Sequence, residues 1–506
     1  AYMADGYARL TGRIGVCEGP SGGGATYILP GLIEANDSSV AVLGITTDIS
    51  VASYGKYPLT EVDQDRLMQP LTKWNAVIRT ADHIPRMFRA AFRHMASGTP
   101  GSAHLGVPYD IQYDPVCPDD VWGDRTHAVF PSWRSAPAPG SCARVVDAIL
   151  AAEQPLVVCG GGVIAANACA ELETLASQLD IGVGTSLSGK GSLSDQHPLA
   201  LGVVGSNGGT DATWEVLAGA DLVVFLGCRA GSTVTSRWEA PSPSTRIIHI
   251  DSNPAVIGAN YPVEIGVVAD LKLALAELNM ILMSKSSHPT MGGTGLVAAA
   301  HQRKFAEFDA IAARMETPIR PELLITIMQD ILPDNAVLVS DPGTSCPYIA
   351  AYYRLPRAGR YFLTNRAHGA LGYSLGAAMG AWYGQPERKI VAIMGDGSFG
   401  FACGELETVM RYEIPLLIIV LNNSSFGWIK ASQHDECGAR YHNVDFSRSN
   451  HAEIARAYGM PSWRVEAPHD LDPVLREAAG LDGPALVEVI CQPLEETRAP
   501  VRRWMG

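Results

Sequence analysis

The chain has 506 residues, of which 47% are hydrophobic and 18% are charged, and its formal net charge is −14. This length exceeds a single hydrophobic core and predicts about three domains of roughly 150 residues each. The acidic balance, with no long basic run, argues against a nucleic acid or an anionic membrane as partner.

Ten cysteines occur without a CxxC pair or a regular spacing, and several lie in apolar runs such as LVVCGGG. This usage predicts reduced thiols and a cytoplasmic protein. No apolar run reaches about 18 residues, so no membrane-spanning helix is expected. The chain opens on AYMADGYARLTGR, which is typical of the end of a helix, and we therefore expect that a natural N-terminal segment is missing from it.

Strand and helix patterns alternate over residues 1–128. RIGVCEG and SSVAVLGIT are predicted strands, separated by a glycine-rich turn at 22–24 and a helix. This order is typical of a parallel sheet, so residues 1–128 are predicted to form a first α/β domain. The Pro- and Ser-rich stretch 129–142 is predicted to be a linker.

Two further blocks repeat this alternation. Residues 143–283 contain apolar runs in QPLVVCGGG, ADLVVFLGCRAG and STRIIHIDSNP, which are typical of strands buried on both faces. Residues 319–506 contain four more such runs, in AVLVSD, KIVAIMGDG, PLLIIVLNN and PALVEVICQP. The predicted fold class is therefore α/β, with three doubly wound parallel-sheet domains at 1–128, 143–283 and 319–506.

Polar residues follow two of the strands predicted in the third block. KIVAIM runs into the segment 395–398, GDGS, and PLLIIVL runs into the segment 422–427, NNSSFG. Because ligands bind at the carboxyl ends of parallel strands, and neighbouring strands lie about 5 Å apart, Asp396 and Asn423 can meet at one ion. Their oxygens suit Mg²⁺ or Ca²⁺, and Gly397 lets a phosphate approach the N–H groups of a helix start. We interpret 395–427 as a site for a magnesium-bound diphosphate; for each motif alone, the alternative is a turn or an Asx cap.

This arrangement resembles the cofactor motif of thiamin-diphosphate-dependent enzymes, and the 27 positions between Gly395 and Asn422 fit that family. ADGYARLTGR, GPSGGGAT, LTKWN, GKGSLSDQHPLALG and HIDSNPAVIGAN resemble the acetolactate synthase-like branch over essentially the whole chain. The resemblance implies pyrimidine, central and diphosphate domains in this order. It also implies a homodimer or homotetramer, in which the pyrimidine domain of one subunit completes the site of its neighbour.

The resemblance assigns roles to residues of this chain. It implies that Mg²⁺ is bound by the side chains of Asp396 and Asn423 and by the carbonyl of Ser425. It implies that Leu371 holds the cofactor in its bent form, where core packing is the alternative, and that the Gly369 carbonyl accepts from the cofactor 4′-amino group. The residues that would line the diphosphate are Gly343, Thr344, Ser345, Gly395, Gly397, Ser398, Phe426 and Gly427.

The chain also departs from the best-known relatives. The glutamate that activates the cofactor in this family maps four residues ahead of Ala1, and we expect it in the missing segment, with a glutamate-free enzyme as the alternative. Acetohydroxyacid synthases carry Trp where this chain has Ser432, and Phe-Gln where it has Leu59-Thr60. Pyruvate decarboxylases carry Glu at the position of Ile429 and a His-His pair that is absent here. The first set of differences counts against a true acetohydroxyacid synthase and the second against a simple pyruvate decarboxylase, so the substrate stays open.

The expected function is that of a thiamin-diphosphate- and Mg²⁺-dependent lyase or transferase. It would decarboxylate a 2-oxo acid or a related carbonyl substrate, with carboligation from the same intermediate. The substrate candidates by position are Trp428, Ile429, Gln433, His368 and Arg366.

Three alternatives bear on this expectation. Some relatives hold FAD at segments like 227–231 and 249–254, but these are also ordinary strand-end turns, so the sequence leaves FAD open without favouring it. The missing glutamate motivates a non-catalytic or regulatory binding protein of the same fold. A nicotinamide oxidoreductase is disfavoured, because no GxGxxG is followed by an acidic residue about 20 positions on.

Overall fold

A computed structural model describes residues 1–287, 289–497 and 499–502. Its strands form three sheets, and all pairs of neighbouring strands in them are parallel. Helices connect most successive strands, and the long connections are those that parallel pairing requires. The predicted fold class, α/β with three parallel sheets, is therefore confirmed.

The strands are, in chain order, β1 (Gly15–Gly19), β2 (Val42–Asp48), β3 (Trp74–Val77), β4 (Ala103–Pro108), β5 (Pro155–Cys159), β6 (Gly182–Thr185), β7 (Ala200–Val203), β8 (Leu222–Leu226), β9 (Arg246–Asp251), β10 (Ile265–Val268), β11 (Val337–Ser340), β12 (Phe362–Thr364), β13 (Ile390–Gly395), β14 (Leu416–Asn422), β15 (Ser462–Val465) and β16 (Ala485–Ile490).

The α-helices are, in chain order, α1 (Tyr2–Thr11), α2 (Gly23–Tyr27), α3 (Leu29–Asp37), α4 (Gln64–Met68), α5 (Ile84–Ala96), α6 (Ser141–Leu150), α7 (Gly161–Ala165), α8 (Cys169–Leu179), α9 (Asp211–Gly219), α10 (Leu271–Ser284), α11 (Gly293–Ala312), α12 (Pro321–Ile331), α13 (Ser345–Tyr352), α14 (Tyr373–Gly384), α15 (Asp396–Ala402), α16 (Leu406–Arg411), α17 (Gly427–Cys437), α18 (His451–Ala457) and α19 (Pro468–Ala479).

The chain packs into two compact units. Unit 1 comprises residues 1–134 and 365–387, and unit 2 comprises residues 135–364 and 388–506. Unit 1 contains the four-stranded sheet, in the order β1-β2-β4-β3. Unit 2 contains the two six-stranded sheets, in the orders β10-β9-β8-β5-β6-β7 and β12-β11-β13-β14-β16-β15. Helix α14 thus packs within unit 1, although it follows the first strands of the last sheet in the chain.

Helices α1 and α14 cross at very short range within unit 1. A Cβ on Gly6 would overlap the carbonyl oxygen of Ala377, and one on Gly380 would overlap that of Met3. A Cβ on Gly376 would lie 3.0 Å from the Cβ of Tyr2. Because residues four apart share a helix face, Gly376 and Gly380 form one flat face of α14 that admits α1.

Two global expectations can be compared with this structure. No helix in the described part of the chain is long and apolar enough to cross a membrane. The ten cysteines are all free thiols, and five of them are buried. Both findings agree with what the sequence predicts for these features.

Candidate functional site

The two polar motifs follow neighbouring strands of unit 2. Strands β13 and β14 pair in parallel, with Gly395 opposite Leu421. Asp396 is the first residue of α15, and Asn422 is the last residue of β14. The structure therefore brings the GDGS and NNSSFG segments to adjacent strand ends at one edge of the sheet.

The carboxylate of Asp396 is buried and only half satisfied. Its Oδ1 accepts the backbone N–H of Gly397 at 2.8 Å, whereas the buried Oδ2 has no hydrogen-bond partner. Burial raises the pKa of Asp396 to about 6, against the opposing effects of the Gly397 hydrogen bond, of nearby His451 and of the backbone N–H groups of Ser424 and Ser425. A buried carboxylate oxygen without a donor is costly, and a bound cation would satisfy it.

The turn after β14 is built around Asn423. The Asn423 Oδ1 accepts from the hydroxyl of Ser425 at 3.2 Å, and its Nδ2 donates to Oγ1 of Thr344 at 3.5 Å. A Cβ on Gly427 would lie 2.6 Å from that Nδ2 and 3.1 Å from the same Oγ1, so only glycine fits beside them. The Ser425 carbonyl accepts from the N–H of Gly427 at 2.8 Å and keeps a second lone pair for another partner.

Phe426 covers the glycine of the first motif. Its N–H donates to the carbonyl of Val444 at 2.8 Å, and its ring meets Phe446 edge to face at 4.5 Å. A Cβ on Gly397 would lie 2.9 Å from the Phe426 ring. Gly397 is therefore required by this aromatic contact as well as by any approaching phosphate.

The third strand end of this edge carries the segment 343–345, between β11 and α13. Gly343 has φ of 108°, in the region that favours glycine. Thr344 is buried and faces Asn423, as described above. The Ser345 hydroxyl is bound to that of Ser340 at 2.9 Å, so Ser345 offers its backbone N–H rather than its side chain. Ser398, in the first turn of α15, is likewise buried.

A cavity of about 300 Å³ lies beside Asp396. Within the described residues, no group of three His, Cys, Asp or Glu side chains is placed to hold a metal ion. A cation here would therefore rely on one carboxylate together with amide and carbonyl oxygens, which are the ligands that Mg²⁺ accepts. The cavity is lined by Asp396, Gly397, Gly400, Phe401, Asn422, Phe426, Phe446, Ser447, Ser449 and His451.

A buried polar network next to this cavity was missed from the sequence. Oε1 of Glu488 accepts from Nδ2 of Asn422 at 2.6 Å and lies 2.8 Å from Nδ1 of His451, and its Oε2 accepts the N–H of Ala452 at 3.1 Å. Burial by itself would raise the pKa of Glu488, but hydrogen bonds from His451 and Asn422 outweigh it and lower the pKa. The available signal was a carboxylate inside the apolar strand PALVEVI, because a charge at a buried strand position needs partners.

Three substrate candidates lie on α17 in unit 2. Trp428 is half-buried, and Ile429 is 51% exposed. The side-chain amide of Gln433 is already hydrogen-bonded within the protein. Its nitrogen donates to the carbonyl of His442 at 3.3 Å, and its oxygen accepts the N–H of His442 at 2.8 Å. Gln433 therefore braces the loop after α17.

The remaining candidates precede α14 in unit 1, where Arg366 and Leu371 are half-buried and the His368 side chain is exposed. The Glu34 carboxylate accepts the N–H groups of His368 at 2.8 Å and of Gly369 at 3.3 Å. Sequence reasoning missed Glu34, whose only signal is an acidic residue in the partly apolar helix segment LPGLIEAND.

Three models of one enzyme family match the chain. They are described as thiamine pyrophosphate enzyme, N-terminal TPP binding domain, central domain and C-terminal TPP binding domain, and they match residues 1–67, 142–278 and 341–489. The chain is 30% identical over 506 residues to the probable acetolactate synthase large subunit of Methanococcus aeolicus, covering 97% of this chain and 84% of the relative. This chain is a thiamin-diphosphate-dependent enzyme of the acetolactate synthase-like type.

Other relatives of this thiamin-diphosphate enzyme agree. It is 30% identical over 497 residues to the acetolactate synthase of Mycobacterium bovis, covering 97% of this chain and 79% of the relative. It is 31% identical over 506 residues to acetolactate synthase 1, chloroplastic, of Nicotiana tabacum, covering 97% and 74%. The resemblance inferred from the motifs is therefore confirmed, and the match of the C-terminal TPP binding domain contains both strand-end motifs.

Proposed function

We propose that this thiamin-diphosphate enzyme uses Mg²⁺-bound cofactor to cleave and form C–C bonds next to a carbonyl. The first step is decarboxylation of a 2-oxo acid, as in a lyase. Transfer of the fragment that remains after loss of CO₂ to a second carbonyl compound then completes a carboligation. The observation that carries the proposal is the buried, unpartnered Oδ2 of Asp396 at a strand end adjacent to Asn422. The names of the relatives, acetolactate synthases, support the transfer step.

Residues of unit 2 bind the anionic end of the cofactor. Asp396, Asn423 and the Ser425 carbonyl are proposed to hold Mg²⁺. The unpartnered Oδ2 of Asp396 fits this role, because a cation would satisfy it. Backbone N–H groups at the starts of α13 and α15 suit the diphosphate charge. The proposed diphosphate residues are Gly343, Thr344, Ser345, Gly395, Gly397, Ser398, Phe426 and Gly427.

Residues of unit 1 orient the reactive end. When bound, thiamin diphosphate supplies a nucleophilic carbon and a cationic ring that acts as an electron sink. The Gly369 carbonyl is proposed to accept from the cofactor 4′-amino group, and Leu371 to support the bent conformation.

For substrate recognition, we propose that Arg366 pairs with the carboxylate of the 2-oxo acid, since a guanidinium binds carboxylates with two hydrogen bonds. Trp428, Ile429 and His368 are proposed to contact the rest of the substrate. Gln433 is retained as a weaker candidate, because its amide is already engaged by His442.

A homo-oligomer is also proposed, with the active site completed by a second copy. Three large apolar side chains around the glycine-rich turn of unit 1 support it, because Tyr27, Tyr57 and Leu59 are 85%, 95% and 90% exposed. Exposed apolar clusters mark interaction surfaces. Sedimentation of the enzyme tests this point, and a fully active monomer would contradict it.

FAD is not favoured as a cofactor, because the segments 227–231 and 249–254 lie at the ends of β8 and β9 and are explained as ordinary strand-end turns. Flavin absorbance in the purified active enzyme would contradict the proposal.

The function itself is tested with the full-length gene product, thiamin diphosphate and Mg²⁺. A panel of 2-oxo acids is assayed for CO₂ release and, with added aldehydes or 2-oxo acids as acceptors, for carboligation products. We expect CO₂ release that needs both cofactors and is lost in Asp396→Ala. Binding of thiamin diphosphate without exchange of its C2 proton into deuterium oxide would instead support a non-catalytic binding protein.

A further inference from the structure

Three successive backbone N–H groups converge on one side chain in unit 1. The Glu34 carboxylate on α3 accepts from His368 at 2.8 Å, from Gly369 at 3.3 Å and from Ala367 at 3.4 Å. Successive N–H groups of this kind form an anion-binding concavity. In this enzyme the concavity is filled by a carboxylate of the chain itself.

Glu34 is held as an anion in a buried position. Its side chain is 1% exposed, and Oε1 accepts from Arg9 at 2.9 Å and from the Ser38 hydroxyl at 2.7 Å. Burial by itself would raise the pKa of Glu34, but the charge of Arg9 and these hydrogen bonds outweigh it and lower the pKa. Oε2 is thereby left for the N–H groups of His368 and Gly369.

The same arginine reaches the other end of the segment. Arg9 donates through Nε to Oδ2 of Asp5 at 2.7 Å, and the hydroxyl of Tyr373 donates to the same oxygen at 2.6 Å. Tyr373 is the first residue of α14, four positions after Gly369. Between these two attachments, the side chain of Asn365 donates to the carbonyl of Ala370 at 2.6 Å.

We propose that Glu34 is the positioning residue for the Gly369 carbonyl, and that Arg9 links it through Asp5 to Tyr373 so that both ends of segment 367–373 are fixed. This inference rests on the proposed function, in which the Gly369 carbonyl accepts from the cofactor. Glu34 acts through the backbone of its neighbours and touches no reacting atom.

The physical reason is geometric. Gly369 has φ of 73°, a value that glycine adopts about as readily as a negative one. Glycine itself therefore does not fix the direction of this carbonyl, and other contacts must set it. Groups that orient a reactive centre need placement within about 0.5 Å, and an error of about 1 Å can cost on the order of 100-fold in rate. A buried carboxylate bonded to three consecutive N–H groups supplies such placement.

The first test needs neither cofactor nor activity. Amide hydrogen–deuterium exchange of the peptide that contains residues 366–370 is compared in the wild-type enzyme, Glu34→Gln and Ser38→Ala. Ser38→Ala is the matched control, because it removes a hydrogen bond to Oε1 and leaves both N–H contacts of Oε2. We expect exchange to be at least about tenfold faster in Glu34→Gln, since a hydrogen bond to a charged group is lost, and nearly unchanged in Ser38→Ala. Equal protection in a folded Glu34→Gln variant would overturn the proposal.

The second test measures the consequence at the cofactor. At saturating thiamin diphosphate and Mg²⁺, exchange of the cofactor C2 proton is followed by NMR for wild type, Glu34→Gln and Glu34→Asp. We expect an exchange rate about 100-fold lower in Glu34→Gln with cofactor affinity within about tenfold of wild type. An unchanged rate in the folded variant contradicts a positioning role.

The outcomes separate the two proposals. If the wild-type enzyme binds the cofactor and shows no C2 exchange, the proposed function fails while amide exchange still decides the role of Glu34. If Glu34→Gln does not fold, Glu34→Asp retains the charge on a shorter side chain. We then expect amide exchange faster than in wild type, and wild-type protection in Glu34→Asp would overturn the inference.

Discussion

The carboxylate of Glu34 receives the backbone N–H of His368 at 2.8 Å, across 334 positions of the chain. Through this contact, a residue near the start of the sequence fixes a segment that precedes the diphosphate motif. Unit 2 offers oxygens and N–H groups at strand ends, and unit 1 holds the backbone around Gly369.

Asp396→Asn is predicted to separate stability from cofactor binding. Removing the charge should weaken the binding of thiamin diphosphate with Mg²⁺ by about 100-fold, because a charged metal ligand is lost. The cofactor-free protein should lose no more than about 1 kcal/mol of unfolding free energy, since the buried oxygen that disappears has no partner. Titration calorimetry and urea unfolding measure the two quantities.

The control for that prediction is Asp435→Asn, which changes an exposed aspartate on α17. Both quantities should stay at their wild-type values in it. Unchanged cofactor affinity in Asp396→Asn would remove Asp396 from the proposed metal site.

Gly427→Ala is predicted to damage the metal site without unfolding the protein. The added Cβ would lie 2.6 Å from Nδ2 of Asn423, so the amide must move away from its place beside Thr344. A displaced ligand should weaken Mg²⁺-dependent cofactor binding by about 10- to 100-fold. Gly404→Ala is the control, because its Cβ would meet nothing within 4 Å. Equal affinities in the two variants would show that Asn423 is not a ligand, or that the turn rearranges around the added methyl group without displacing the Asn423 amide.

The sequence predicts those parts of the fold that depend on long apolar runs. All nine strands expected from such runs are present, as β1, β2, β5, β8, β9, β11, β13, β14 and β16. The strands that were not anticipated are mostly short segments of three or four residues, such as β12 and β15. Such segments carry too little periodicity to be separated from loops.

Only those parts of the candidate site whose residues directly follow a strand in the sequence could be predicted. Asp396 and Asn423 follow their strands directly in the sequence, so parallel pairing alone brings the motifs together. Glu34 and His368 meet through tertiary packing, and no spacing along the chain announces that contact. In the segment HGALGYSLGAAMGA the sequence assigned roles only to Gly369 and Leu371, whereas Gly380 is needed for the crossing of α1 and α14.

Gly380→Ala is predicted to destabilise unit 1 by about 3 kcal/mol or more. Its Cβ would overlap the carbonyl oxygen of Met3, and backbone atoms of two packed helices cannot yield cheaply. Gly295→Ala, in the exposed part of α11, meets nothing within 4 Å and should instead stabilise by about 1 kcal/mol through helix propensity. Thermal and urea unfolding measure both changes. A Gly380→Ala protein as stable as wild type would show that α1 and α14 do not cross this closely.

His104 is predicted to make unit 1 sensitive to acid. The side chain is fully buried, with Nε2 2.7 Å from the hydroxyl of Thr46, and burial lowers its pKa from 6.5 to about 4. Because the folded protein then binds fewer protons than the unfolded chain, the free energy of unfolding should fall as the pH drops from about 6.5 towards 4. The full loss from this group is about 3 kcal/mol, at about 1.4 kcal/mol for each pH unit between the two pKa values.

The contribution of His104 is isolated by comparing variants rather than by one pH profile, since many carboxylates titrate in the same range. Urea unfolding of wild type and His104→Gln is measured between pH 4 and 7. His104→Gln should be less stable than wild type near pH 7, because the buried Thr46 hydroxyl loses one of its two side-chain partners and keeps only Gln64. The difference in unfolding free energy between His104→Gln and wild type should then shrink as the pH falls. Only wild type has a buried imidazole, whose protonation in acid favours the unfolded chain. A constant difference between His104→Gln and wild type over this range would show that His104 does not titrate with folding.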